Sequence, residues 1–276
     1  MSVKITTLIE NSPGEHHALK AEHGLSFFIE KDGHKFLFDT GQSGAIIENA
    51  AQLRVDITSL DYVVLSHGHY DHSGGLQSLL TITTEFKLIL GQDFFDKKYS
   101  CKKNSSEYIG NNFDEQFLTD QQISYQFVQK NLTTLLPDVY IITCFPRIHE
   151  DEVINPRFKI LKNGSFQADP FNDEISLVID TSEGLVVLLG CSHPGMKNML
   201  DFTTKLIKRP IYAVLGGIHL VEATEKSFES SMNYIQKTNL KLLGVSHCTG
   251  KVAMDQLAAS DRRYFHNHTG SSLFIA

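Results

Sequence analysis

Apolar and polar positions near the start of the chain fall into three short runs, VKITTLIE, LSFFIE and HKFLFDTG, which read as strands. The Lys31-Asp32-Gly33 turn predicts that the last two form a hairpin. The period then changes. Ile46, Ile47, Ala50 and Leu53 recur at helical spacing within residues 44–53, and residues 61–66 form a short apolar strand. After the strand KLILG, residues 92–122 have no clean period and read as an insertion lining a pocket, with Phe94, Phe95, Tyr99, Tyr108 and Phe113 offering apolar contacts to a substrate. Strands resume as YQFV, VYIITCF, ISLVID and LVVLLG, punctuated by turn signals at Asn163-Gly164 and Glu183-Gly184. Beyond them, helix-like segments at 196–208, 227–237 and 252–259 alternate with the strands IYAVLGG and KLLGVS, and the chain closes on SSLFIA.

No linker rich in Pro, Gly or Ser divides this order and no fixed repeat is visible, so residues 1–276 are expected to form a single α/β layered domain of two stacked sheets flanked by helices. A chain of 276 residues with 41% hydrophobic content buries a sizeable core. No apolar run reaches membrane-spanning length, and the N-terminal stretch lacks the pattern of a secretory signal, so the expectation is a cytoplasmic protein with no membrane partner. The four cysteines, Cys101, Cys144, Cys191 and Cys248, include no CxxC pair, which argues against a disulfide framework or a structural zinc knuckle. A formal net charge of −7 argues against a nucleic-acid partner, which would need a positive surface to neutralise phosphates.

The chemistry gathers in SHGHYDHSGG, which places His67, His69, Asp71 and His72 directly after an apolar strand. In an extended segment His67 and His69 point the same way and can share one ion, while Asp71 and His72 can hold a second beside it. Imidazoles with one carboxylate suit zinc first, with iron or manganese as alternatives, over calcium or magnesium. Three later strands also end at histidines, His193, His219 and His247, and loops beyond strand ends in layered α/β folds gather at one edge. Asp39 lies in FDTG, a tetrapeptide shared with aspartic proteases, but no second copy supplies a dyad. It is expected instead to accept hydrogen bonds that fix the loop beside the histidines.

The segments AEHGLS, LFDTGQSG, SHGHYDHSGGL, LLGCSHPG, LGGIHL and SHCTG resemble the metallo-β-lactamase superfamily, and more narrowly its branch named after a dihydropterin ribofuranosyl-aminobenzene phosphate synthase. The resemblance spans nearly the whole chain. It implies an αββα sandwich, with His67, His69 and His193 on one metal ion and Asp71, His72 and His247 on another. Two departures accompany it. Cys191 follows Gly190 where many members place a bridging Asp, and DPFNDEIS stands where they carry a metal histidine, so His193 is taken as the substitute. Cys191 is then either a ligand or a small buried residue. His219 has three readings: substrate or outer-layer contact, ligand, or packed strand end. His23 and Glu22 either reach the pocket or stay on the surface, and His149, His266 and His268 are expected at the surface, the last two close enough to the final strand to face the site.

Two adjacent cations lower the pKa of a bridging water to roughly neutrality, so no Ser or Cys nucleophile is required. Asp71 would orient that water and His219 would donate a proton or hydrogen bond. The expectation is a metal-dependent hydrolase acting on a small, anionic ester, lactone or phosphodiester. The alternatives are a non-hydrolytic reaction on the same metals, either pterin-type carbon–nitrogen bond formation or iron-dependent redox chemistry, and a metal-bound ligand sensor without turnover. Oligomeric state is left open.

Overall fold

The computed structural model describes residues 2–275. Met1 and Ala276, the ends of the expected 1–276 unit and, for Ala276, of the expected strand SSLFIA, lie outside the described residues. One sheet of seven strands runs in the order Ser272–Ile275, Val3–Ile9, Ser26–Lys31, His34–Phe38, Tyr62–Val64, Lys87–Gly91 and Ser124–Val128. A second sheet of six runs Leu242–Val245, Ile211–Gly216, Gly184–Leu189, Ser176–Thr181, Val139–Ile142 and Leu132–Leu136. The expected hairpin pairs Phe27 with Phe38 and Lys31 with His34 across the Asp32-Gly33 turn.

The alternation in the sequence decides which side chains meet. Phe27, Phe36, Phe38 and Val64 of the first sheet join Leu177, Ile179, Val186 and Leu215 of the second in one buried cluster between the sheets. Their neighbours Phe28, Leu37, Val63 and Leu65 face the other way, packing with Ile46 and Ala50 of helix Ala45–Gln52. On the outer face of the second sheet, Val187, Leu189 and Val214 pack against Met199 of helix Met196–Ile207, Met232 of helix Glu225–Lys237 and Leu257 of helix Lys251–Ser260. Two sheets thus lie between two helical layers, the αββα sandwich. Each buried Phe contributes about 1.5–3 kcal/mol of transfer free energy. Among the described residues, no helix is long and apolar enough to cross a membrane.

Strand direction positions the site. Tyr62–Val64 runs parallel to both its neighbours, His34–Phe38 and Lys87–Gly91. Gly184–Leu189, Ile211–Gly216 and Leu242–Val245 are likewise mutually parallel. Each of these strands is followed by a loop bearing histidine, so parallel pairing delivers His193, His219 and His247 to one edge, opposite the loop of His67.

The insertion departs from its expected irregularity. Residues Lys98–Lys102 and Ser105–Tyr108 form a hairpin that joins Phe158–Lys162 and Ser165–Ala168 in a third, four-stranded sheet. Phe94 and Phe113, expected at a pocket, are buried in the core beneath the first sheet, because the turn after Gly91 and the residues leading into helix Glu115–Asp120 bring them against Leu88, Leu90 and Leu118.

The crossing between the second sheet's parallel strands is tight at Gly216. Its φ is +105°, and a Cβ there would come within 1.9 Å of the Leu189 carbonyl oxygen. Gly216→Ala should therefore destabilise the protein by about 2–4 kcal/mol through left-handed strain and backbone overlap. Urea unfolding checks this, and an unchanged midpoint would mean that the strand end is free to move.

Candidate metal centre

Asp39 begins the site. It closes the strand His34–Phe38 at a φ of 62°, a left-handed conformation that Asp tolerates better than most residues. Its fully buried carboxylate accepts from Ser66 N at 2.7 Å, from Ser66 Oγ at 2.8 Å and from His72 Nδ1 at 2.6 Å. Because the Ser66 hydroxyl donates to Asp39, its oxygen accepts from His67 Nδ1 at 2.9 Å. His247 Nδ1 likewise donates to Asn11 Oδ1 at 2.8 Å, and its backbone N–H reaches Glu10 Oε1 at 2.6 Å. These outer bonds place the proton of each ring on Nδ1 and leave Nε2 as an inward lone pair.

The inward atoms form two sets. His67 Nε2 lies 3.0 Å from His69 Nδ1, and the donor atoms of His67, His69 and His193 all fall within 4.8 Å of one another. In the second set His72 Nε2 is 3.2 Å from His247 Nε2, and Asp71 Oδ2 is 3.6 and 3.3 Å from those two nitrogens. Two imidazole lone pairs facing each other at such a distance repel unless a proton or cation stands between them. His69 Nε2 and His193 Nε2 are also buried with no hydrogen-bond partner. The donor sets therefore fit divalent cations, and six of the residues singled out in the sequence, His67, His69, Asp71, His72, His193 and His247, are brought together.

Electrostatics separates the sets. Burial holds the pKa values of His67, His69 and His193 well below 6.5, so these rings are neutral and ready to ligate. Burial acts the same way on His72 but is outweighed by Asp71 and Asp39, which push it up to about 9. A proton thus occupies the second set where a cation would replace it. Asp71 is held well below the carboxylate range, with burial opposed by His72, His23 and His247.

His219 lies beside His193, ring centroids 4.5 Å apart, at the wall of a cavity of about 280 Å³ that is also lined by Asp71, Cys191, His247 and Arg157. Burial would lower its pKa, but Cys248 and Glu222 raise it to about 9. His23 does reach the site: half exposed, its Nε2 is 3.2 Å from Asp71 Oδ2. Glu22 does not, and instead accepts from the backbone of Gln42 and Ser43. His149 pairs with Asp201 away from the cavity, while His266 and His268 contact each other rather than the centre. Ser100, Lys102 and Glu107 of the insertion hairpin line the cavity, and Tyr99 instead packs on Tyr108 and Phe166.

Several contributors escaped the sequence reading. Asp173 accepts from Gly68 N at 2.7 Å and, with Asp169, holds the buried Lys98 ammonium at 2.9 and 2.8 Å. Lys98 lies 4.5 Å above the Phe171 ring, which stacks on His193 with centroids 3.9 Å apart. Glu174 accepts from Ser192 N and stands 3.9 Å from His67 Nδ1, its pKa pushed up to about 8 by burial and by Asp173. The acidic run DPFNDEIS was the available signal for these carboxylates. Nothing local marks Asn11.

Fold and donor arrangement define a class. Residues 19–84 match the Metallo-beta-lactamase superfamily, and the chain belongs to that superfamily, with its metal-dependent hydrolase fold. Within it, the chain is similar to the 7,8-dihydropterin-6-methyl-4-(beta-D-ribofuranosyl)-aminobenzene-5'-phosphate synthase of Methanocaldococcus jannaschii, 30% identical over 264 residues that cover 90% of this chain and 88% of the relative. An uncharacterized protein of the same organism is 29% identical over 263 residues, 92% of this chain and 94% of its own. A solved metal-dependent hydrolase of the beta-lactamase superfamily matches 98% of both chains with a TM-score of 0.85 at 28% identity. A diphosphatase of the PhnP family, at 14% identity and a TM-score of 0.57, shares the fold.

The charge pattern makes a prediction for protein stripped of metal. His72, raised from 6.5 to about 9, and Glu174, raised from 4.5 to about 8, bind more protons folded than unfolded. Their contributions are present below the unfolded values and lost as pH rises through the folded ones. His219 and Cys248 shift in opposite directions and offset each other. The neutral rings of His67, His69 and His193 act only below 6.5. The urea midpoint of the metal-free protein should therefore fall between pH 6.5 and about 8. A midpoint that climbs over this interval contradicts the charge assignment.

Proposed function

We propose that the chain is a metal-dependent hydrolase acting on a small, anionic ester, lactone or phosphodiester. The observation that carries this reading is the convergence of two inward donor sets on one cavity whose wall holds both a protonated histidine and an arginine. His67, His69 and His193 would hold one divalent ion and Asp71, His72 and His247 a second, zinc first on donor type with iron or manganese as alternatives. Ions bound there supply Lewis acidity and an activated water near neutral pH.

The chain's own groups do the rest. Asp71, ionised and aimed into the cavity, orients the attacking water. His219, protonated at neutral pH, stands at the cavity wall as the proton donor to the leaving-group oxygen, and Glu222, 3.6 Å from its Nε2, favours that charged form. Phe158 and Phe171 pack on the His193 ring and keep water from its outer side. The Arg157 guanidinium lies 4.3 Å over the Phe158 ring and donates to Ser100 Oγ at 2.7 Å. It also pairs with Glu222 at 2.8 Å, so Arg157 and His219 share one carboxylate and the wall keeps a net positive charge toward an anionic group of the substrate, to which Lys102 adds. A cavity of about 280 Å³ suits a small molecule rather than a polymer.

Identity to the M. jannaschii synthase favours a second reading, carbon–nitrogen bond formation on a pterin-type substrate at the same donors. A panel of esters, lactones and phosphodiesters, assayed before and after chelation, separates the two. The hydrolase reading expects turnover that chelation abolishes and zinc restores. No hydrolysis across the panel, with consumption of a dihydropterin instead, would favour the synthase.

Two variants sharpen the test. Asp71→Ala should lower kcat at least about 100-fold and reduce bound metal while leaving the circular dichroism spectrum intact. Full turnover would remove Asp71 from its role. Arg157→Ala should raise KM for anionic substrates about tenfold and leave neutral esters nearly unaffected. Equal effects on both would mean that Arg157 only props the wall.

A further inference from the structure

Asp71 Oδ2, His72 Nε2 and His247 Nε2 are 3.2 to 3.6 Å apart. A tetrahedral shell with metal–ligand bonds of about 2.0–2.1 Å has edges of about 3.3–3.4 Å, so these atoms already form one face of such a shell. Two donors approach this face, His23 Nε2 from the half-exposed rim, 3.2 Å from Asp71 Oδ2, and a sulfur from the buried side. Cys191 Sγ lies 3.2 Å from His72 Nε2, and the donor atoms of His67, His72 and Cys191 fall within 4.8 Å of one another. Because His67 also belongs to the first set, the sulfur stands in reach of both.

We infer that the Cys191 thiolate is a ligand shared between the two positions, making the centre a sulfur-bridged one selective for soft divalent ions. This rests on reading the two donor sets as metal positions. Charge argues for it independently of distance. Asp71 is the one carboxylate in the two donor sets, and Glu174 approaches His67 from the Nδ1 side, away from the inward nitrogens. Two divalent ions held by five neutral imidazoles and one carboxylate would leave a large buried positive excess. Loss of the Sγ proton to solvent on metal binding supplies a second fixed anion from within the fold.

The neighbouring thiol provides a control. Cys248 Sγ donates to the Cys191 carbonyl oxygen at 3.5 Å, and its nearby donors are Cys191 and His219 rather than the histidine sets. It stands outside both donor sets, so Cys248→Ser separates the two sulfurs.

Cobalt(II) reports the difference without any substrate, because a thiolate bound to cobalt adds an intense near-ultraviolet charge-transfer absorption that nitrogen and oxygen ligands lack. The full chain, stripped by chelation and reloaded with cobalt, is measured for metal content and absorption. Wild type and Cys248→Ser should show the band, and Cys191→Ser and Cys191→Asp should lose it. Cys191→Asp should keep the metal and shift preference from zinc toward manganese about tenfold. Wild type that binds cobalt without the band overturns the thiolate ligand and leaves the metal centre standing. A band that survives in Cys191→Ser and disappears in Cys248→Ser assigns the ligand to Cys248 and also overturns the proposal. Wild type that binds no cobalt overturns both this inference and the metal reading beneath it. Should the Cys191 variants fail to fold, the wild-type and Cys248→Ser spectra still decide whether a thiolate is bound and whether Cys248 supplies it.

Discussion

The Asp39 carboxylate is the constraint on which the site depends. Sealed from solvent, it gathers the Ser66 backbone, the Ser66 hydroxyl and the His72 ring, and through Ser66 it also sets the His67 ring. A buried carboxylate with these donors cannot relax toward water, so the end of one strand fixes the start of the histidine loop. The Nδ1–H of His72, and through Ser66 that of His67, is drawn outward by this one acceptor, which turns both Nε2 atoms inward. The two donor sets consequently share an anchor, and a disturbance at Asp39 reaches His67 and His72 together.

The sets differ in how they tolerate being empty. The rings of His67, His69 and His193 stay neutral because burial makes charging them costly, and they are walled by Phe158 and Phe171. The set built on Asp71, His72 and His247 holds a proton in the cation's place and opens to the rim through His23. Counting the histidines alone, filling the first set costs no proton, whereas filling the second releases one, so occupancy of the second is the more sensitive to pH.

Much of this was legible in the sequence because the informative signals are local. Hairpin, strands and the longer helices follow from apolar period and turn residues, and the histidines advertise themselves by spacing after strands. The third sheet was not legible: Lys98–Lys102 finds its partner in Phe158–Lys162, more than fifty residues on, and neither segment alternates strongly enough to announce a strand. The same distance hid Lys98, whose side chain looks like a surface charge until Asp169 and Asp173 enclose it. Asn11 and Glu10 act on His247 from the opposite end of the chain. Phe94 and Phe113 misled for a related reason, since aromatic residues in an aperiodic stretch serve a core as readily as a pocket. The histidines were found by what they are, and their supporting groups only by where the chain takes them.

The bond between Asn11 and His247 joins residues 236 positions apart, and the first and last strands lie side by side in register from Val3 with Ile275. On a ribosome, the strand Val3–Ile9 must therefore wait with one edge unpaired until Ser272–Ile275 has emerged. The first donor set, complete at His193, can assemble earlier than the second, which lacks His247 until then. A nascent chain paused before His247 would hold the residues of the first donor set beside an exposed strand edge, a template for pairing with another chain.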